Sequence, residues 1–370
     1  RSFNWLREYR GVMTQPALFT PFTVRNLTIR NRVWVPPMCM YSALGKDGIP
    51  TSFHTAHYGA MALGGAGLII VEATAVNPEG RISFHDLGIW NDEQVAAFKP
   101  ITAFMSAQGV APGIQLAHAG RKASTYPGWG YDGIDGTVPV EEGGWQTLGP
   151  SANAFTGYAQ AHAMSEEQIG QVVADFAASA RRAVEAGFKV LEIHAAHGYL
   201  IHEFLSPLTN ERSDDFGGPL KNRARLLLEV LTAVTQAIGS ERVGLRLSPL
   251  NSFNSMIDSD PVGLVRGLAR RLNTYQLAYL HVMRTDFLGD CDLFFGLPEA
   301  LNRGRYLVPR MTREQLRDAV ECPALLAGAE VAPRLLDHVL NALGDRFDRL
   351  PVLQHALMRT WDAWLNDGAT

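Results

Sequence analysis

Two histidines and a tyrosine stand close together in His194-Ala-Ala-His197-Gly-Tyr199. Side chains alternate along a strand, so Val190, Glu192 and His194 share one face, and His197 and Tyr199 fall in the loop just beyond it. Two imidazoles and a phenol at one rim can hold a substrate oxygen and deliver a proton. The same cluster also reads as two structural histidines with an interface tyrosine, or as a metal pair, although no carboxylate at ligand spacing accompanies it. Arg246 interrupts an otherwise apolar run, a costly position unless an anion or carbonyl meets the guanidinium. Gln115 has the same character. Both suit a flat heterocycle with alternating donors and acceptors, and pairing with a neighbouring carboxylate such as Glu192 is the competing account. Cys39, in Pro36-Pro-Met-Cys-Met-Tyr41, reads on its own as a buried, inert thiol.

These residues sit in or just after apolar runs bounded by Gly and Pro: 32–38, 67–74, 113–118, 188–194, 243–248 and 278–282. The run Gly67-Leu-Ile-Ile-Val-Glu-Ala-Thr74 suits a strand buried on both faces. Helical stretches lie between the runs. Ser165 and Gln168 form a capping box for a helix that stops at Gly187, and Asp260-Pro261 opens another, with further helices near 92–108 and 219–238. Such alternation implies parallel strands joined by right-handed crossovers. Six units could make a doubly wound sheet or most of an eight-stranded barrel. Gln115, His118, Glu192, His194 and Arg246 fall late in their runs and converge on one C-terminal rim, which favours an α/β fold of the (β/α)8 TIM-barrel type. The Gly-, Pro- and Trp-rich segment 127–152 reads as a loop over that rim.

Composition narrows the function. The chain has 370 residues, 46% of them hydrophobic, enough for a sizeable core. Lys and Arg number 33 against 37 Asp and Glu, a net charge of −4, so bulk charge gives no basis for nucleic-acid binding. No apolar stretch is long enough to span a membrane. Three scattered cysteines make neither a disulfide framework nor a zinc cluster, so a reducing, cytoplasmic setting is expected, with no metal. Gly45-Lys46 is followed by Asp, and Gly64-Gly-Ala-Gly67 precedes its strand, so neither a Walker A loop nor a dinucleotide fingerprint is present.

The motifs carry a resemblance. Pro37-Met-Cys-Met-Tyr41, Gly67–Thr74, Gln115-Leu-Ala-His-Ala-Gly-Arg-Lys122, His194–Tyr199 with Leu200-Ile-His-Glu-Phe-Leu-Ser-Pro207, and Asn210-Glu-Arg212 with Asp215-Phe-Gly-Gly218 resemble the Old Yellow Enzyme family over about 16–282. The Cys39/Tyr41 pair resembles its thermophilic-like, xenobiotic-reductase branch. The resemblance implies a (β/α)8 barrel that binds FMN and reduces activated alkenes with NADPH or NADH. By that resemblance Pro37, Met38, Cys39, Ala73, Gln115 and Arg246 contact the flavin, and His194 and His197 grip the substrate carbonyl. Tyr41 binds at the substrate edge, and Tyr199 donates a proton to the α-carbon. A homo-oligomer is compatible with this reading.

The C-terminal part departs from the family. From residue 290 onward there is no Ile, Leu is abundant, and the pattern is helical, with a capping box at Thr312–Gln315 and helices over 332–344 and 351–365. The last two strands of the family, which carry its FMN-phosphate site, are not recognisable there. Instead Val282–Cys291, Gly304–Leu316 and Leu350–Trp361 resemble a segment of STAND-type signalling NTPases, without a Walker A loop. The expected division is a translated leader or an expression remnant at 1–12, an FMN-binding barrel at 13–286 and a helical tail of different origin at 287–370. Two other readings stand beside the reductase. One is a flavin-poor, non-catalytic chimera serving as a scaffold or interaction protein; the other is a metal-dependent barrel hydrolase or aldolase.

Overall fold

A computed structural model describes residues 17–128, 135–155, 157–250, 254, 256, 258–283, 332, 334–337 and 341. The chain forms two compact units, Arg1–Leu301 and Asn302–Thr370. The first opens with an antiparallel hairpin, β1 (Phe22–Val24) and β2 (Leu27–Ile29). Strands β3 (Trp34–Val35) and β4 (Leu68–Ala75) follow, and then β5 (Leu87–Gly88) and β6 (Ala111–Ala117). Two short strands, β7 (Leu148–Gly149) and β8 (His162–Ala163), pair with each other in the rim excursion. Strands β9 (Val190–Ala195), β10 (Val243–Leu247) and β11 (Tyr279–Val282) complete the set.

Six of these form one parallel sheet in the order β11-β10-β9-β6-β4-β3, with β5 paired to the end of β4. All six expected strands are present, and the fold is α/β, a curled parallel half-barrel of the TIM-barrel type. The first expected strand is shorter than its apolar run, only Trp34–Val35. Helices α1 (Ser52–Leu63), α2 (Asp92–Ala107), α3 (Glu166–Glu185), α4 (Leu200–Leu205), α5 (Leu220–Arg223), α6 (Arg225–Ile238) and α7 (Pro261–Leu272) join the strands. The helix expected at 219–238 is two pieces that meet at Ala224.

Alternation of side chains divides the sheet residues between two environments. Ile69, Val71, Ile114, Leu116, Leu191, Ile193 and Leu245 point outward and pack with Phe98, Phe176, Leu227 and Val230 of the helices. Leu68, Ile70 and Val190 point inward, where Val24 and Ile29 of the hairpin meet them. Beyond these, Ala73 and Ala117 share a cluster with Cys39, Tyr41 and Tyr199 at the C-terminal rim. The switch on β4 comes from a bulge. Its register with β6 passes from Val71↔Ile114 to Ala73↔Gln115 and skips Glu72. An extra residue reverses the alternation beyond it, so alanine takes the place at the rim and Glu72 turns toward α1.

The helix ends follow the capping chemistry. Ser165 Oγ accepts from the Gln168 backbone N–H, and Gln168 Oε1 accepts from that of Ser165. Asp260 Oδ1 accepts from the Gly263 N–H at 2.8 Å, with Pro261 at the first position. Helix α1 has an atypical box in which His54, not Glu or Gln, reaches back: its Nδ1 accepts from the Thr51 N–H at 2.9 Å. No helix among the described residues is long and apolar enough to cross a membrane. Residues 334–337 of the second unit are helical, within the helix expected at 332–344. The boundaries expected at 12/13 and 286/287, the capping box at 312–315 and the helix over 351–365 lie outside the described residues.

Ser165→Ala removes one side of the α3 capping box and should cost about 1 kcal/mol, read as a lower urea midpoint with an unchanged slope.

Candidate active site

The register carries the inward side chains of neighbouring strands to common heights. Gln115 on β6 lies opposite Glu192 on β9, and His194 lies opposite Arg246 on β10, itself opposite His281 on β11. Glu192 is fully buried and serves as the hub of the lower height. Gln115 Nε2 donates to its Oε1 at 2.7 Å, and Tyr279 OH donates to its Oε2 at 3.1 Å. His281 Nδ1 stands 2.9 Å from the same Oε2. The phenol of Tyr279 reaches the hub by passing over Gly244, where a Cβ would come within 2.2 Å of the ring. Thus Gln115 does pair with Glu192, which fixes its amide and leaves its carbonyl oxygen as the acceptor end.

Above the hub, His194 is buried, and its Nδ1 accepts from the Ala196 N–H at 3.3 Å. That bond assigns the proton to Nε2 in the neutral ring. His197 sits in left-handed backbone at φ 59°. Its N–H donates to Ser248 Oγ at 2.8 Å, and its C=O accepts from Asn254 Nδ2 at 2.7 Å. These two bonds hold a conformation uncommon for a non-glycine residue. Gly198, at φ 77°, lies so close to Asn254 and Met256 that a Cβ would be 2.7 Å from each. Tyr199 then begins α4 from an extended backbone. The ring of His194 stands nearly perpendicular to those of His197 and Tyr199, with centroids 5.2 and 5.0 Å away.

Burial sets the protonation of this group. Burial, followed by the nearby His197 and Arg246, holds His194 well below the ordinary histidine range. Burial and Arg246 bring His197 down to about 3. Burial, reinforced by Cys39 and Tyr41, pushes Tyr199 well above the ordinary tyrosine value. Burial raises the Cys39 thiol too, with Asp86 and Glu72 adding to it. At neutral pH the rim therefore holds two neutral N–H donors and a phenol that keeps its proton.

Arg246 supplies the test of fit to a flavin. Among the described residues its Nη2 meets the Met283 thioether, at 3.0 Å, and its buried Nε has no hydrogen-bond partner. An unsatisfied buried guanidinium N–H calls for an acceptor, and the pyrimidine edge of an isoalloxazine is one. Small side chains at Ala73 and Ala117 beside Cys39 leave a low surface for a flat ring. The residues fit the ring of FMN. Pro37 is buried beside exposed Met38 in the loop that carries Cys39 and Tyr41. All ten expected site residues thus lie on the C-terminal ends of strands β3, β4, β6, β9 and β10 or in the loops that leave them. Ser248, Asn254, Tyr279 and His281 were not anticipated as supports. Among the described residues no group of three or more His, Cys, Asp or Glu could hold a metal.

These features suit a barrel that holds a flat aromatic cofactor. A family model for the NADH:flavin oxidoreductase / NADH oxidase family matches residues 17–288, and the chain belongs to that family, which includes Old Yellow Enzyme. FMN is the cofactor of that family and a nicotinamide its reductant. A second model, Novel STAND NTPase 1, matches 256–369. The NADPH dehydrogenase of Bacillus subtilis is 50% identical over 220 residues, 59% of this chain and 60% of its own length. That of Listeria welshimeri is 49% identical over 260 residues, 67% of this chain and 72% of its own. The chain therefore spans about three fifths of the Bacillus relative. Among solved structures, the Old Yellow Enzyme homologue of Zymomonas mobilis superposes with a TM-score of 0.64 at 35% identity, covering 73% of this chain and 74% of that one. Morphinone reductase gives 0.66 at 33%, covering 82% and 77%.

The buried imidazoles set a pH dependence. Burial lowers His118 from 6.5 to about 4, so the unfolded chain binds more protons between those values. Its contribution is complete above pH 6.5 and is lost as pH falls toward 4. Glu72 and Asp86, both raised by burial to about 7, act with the opposite sign over nearly the same range. His118→Gln isolates the first effect: between pH 7 and 5 the wild type should lose about 2 kcal/mol relative to the variant, read from urea midpoints.

Proposed function

We propose that this chain reduces the C=C bond of activated alkenes, such as enones, with NADPH or NADH through FMN. The observation that carries the reading is the rim trio, in which neutral His194 and His197 meet a phenol, Tyr199, that retains its proton. Bound FMN would supply hydride transfer from the nicotinamide to the β-carbon of the alkene. The protein's part is to bind, polarise and protonate. Pro37, Met38, Cys39 and Ala73 would line the ring, Gln115 would accept from its pyrimidine edge, and Arg246 would meet the side of the ring that becomes more negative.

His194 and His197 donate to the substrate carbonyl oxygen, which draws electron density from the double bond and stabilises the developing enolate. Neutral donors serve here because they polarise without giving up their protons. Tyr41 adds a contact at the substrate edge. Tyr199 transfers its phenolic proton to the α-carbon and recovers one from solvent. The domain division proposed is an FMN barrel at 13–286 and a tail of separate origin at 287–370, in a cytoplasmic enzyme. The meeting of two family models within 256–288 supports a junction there.

A second reading, a flavin-poor scaffold or interaction protein, is favoured by one observation. Among the described residues the main parallel path has six strands, ending at β3 and β11.

Tyr199→Phe discriminates among the residue roles. Alkene reduction should slow about 100-fold, while anaerobic reduction of bound flavin by NADPH keeps its wild-type rate in stopped flow. Equal slowing of both half-reactions would remove Tyr199 as the proton donor.

A further inference from the structure

Below the loop that carries Cys39 and Tyr41 lies a second buried carboxylate, Glu72. The β4 bulge removes its backbone from the sheet ladder, and side chains take over both ends. Its N–H donates to Tyr58 OH at 3.1 Å, and its C=O accepts from Thr74 Oγ1 at 2.8 Å. The carboxylate is equally committed. Tyr58 OH donates to Oε2 at 2.6 Å, and the backbone N–H of Met40 donates to Oε1 at 3.0 Å. His54 Nε2 stands 4.0 Å from Oε2. Glu72, Tyr58 and His54 are all buried to within 2%.

Met40 lies between Cys39 and Tyr41. Its N–H to Glu72 ties the middle of this short loop to the strand beneath, and the Ala73 backbone N–H meets the Cys39 thiol beside it. The same bulge presents Ala73 to the rim cluster that includes Cys39 and Tyr41. One residue thus sets the strand face that meets the flavin and the height of the loop that flanks it.

We infer that Glu72 is a positioning residue, holding the Cys39–Tyr41 loop against the flavin and substrate places through the Met40 N–H. This rests on the roles given above to Cys39 and Tyr41, but its test needs no flavin. The loop's attachment is read as the rate at which iodoacetamide alkylates Cys39 in the flavin-free full chain, with Cys291 and Cys322 followed peptide by peptide as internal references. Glu72 also raises the Cys39 thiol through its charge, so any charge-removing substitution speeds alkylation somewhat. Comparing Glu72→Ala with Glu72→Gln cancels that effect, since both lose the charge and only glutamine keeps an acceptor for Met40.

The expected result is alkylation of Cys39 about tenfold faster in Glu72→Ala than in Glu72→Gln, with the two reference cysteines changed alike in both. Equal Cys39 rates in the two variants would overturn the assignment and reduce the role of Glu72 to charge alone. If Glu72→Ala does not fold, Glu72→Met takes its place, because it fills similar space, carries no charge and offers no oxygen to Met40. A Cys39 rate faster than in Glu72→Gln then supports the assignment, and an equal rate overturns it. Neither result depends on whether FMN binds, so failure here is distinguishable from failure of the reductase reading.

Discussion

The rim depends on a carboxylate that the sheet buries. Glu192 reaches Gln115 on one side and Tyr279 and His281 on the other, across a strand that makes room by having glycine at position 244. Side chains of three parallel strands, β6, β9 and β11, are thereby linked across the glycine of β10, in addition to the ladders. A buried carboxylate is costly unless its oxygens are satisfied, and here three polar groups face it. The arrangement fixes Gln115, and one step above it His194 lies opposite Arg246. Removing any one partner leaves the others short, so the layer acts as a unit.

The second carboxylate, at Glu72, works on the opposite side of the site. It sits at a bulge, where an extra residue re-aims the strand and frees backbone groups that then need partners. Tyr58 supplies one as acceptor and returns a bond as donor to the side chain. Glu192 and Glu72 thus frame the rim, one beside Gln115 and one holding the Met40 N–H. Around them the histidines are kept neutral by the same burial that makes the Glu72 carboxylate expensive to ionise. That shared cause gives acid and imidazole contributions to stability opposite signs in pH.

The six strands were legible because each is an apolar run ended by Gly or Pro, and buried parallel strands need little else. Polar residues inside such runs marked the site, since Gln115, His194 and Arg246 are out of place in a purely structural strand. Glu72 stood in its run with the same signal and was read only as part of a strand. Its meaning depends on a bulge, which leaves no mark in period-two alternation until register with β6 is known. Helix α1 was missed because its box uses His54 where the usual signature has Glu or Gln. Tyr279 and Gly244 carry no local signal of partnership. Only the sheet places them side by side.

The chain joins a flavin-oxidoreductase match over 17–288 to a STAND-type match over 256–369. The central claim is that the inward faces of its strands, from Cys39 to Arg246, are sufficient to hold the ring of FMN. Titrating FMN into the flavin-free full chain and following the quenching of flavin fluorescence tests that claim most directly. Saturable one-to-one binding that weakens when Arg246 is replaced by Met is the result this account predicts. Fluorescence that stays that of free flavin up to a large molar excess of protein would contradict it.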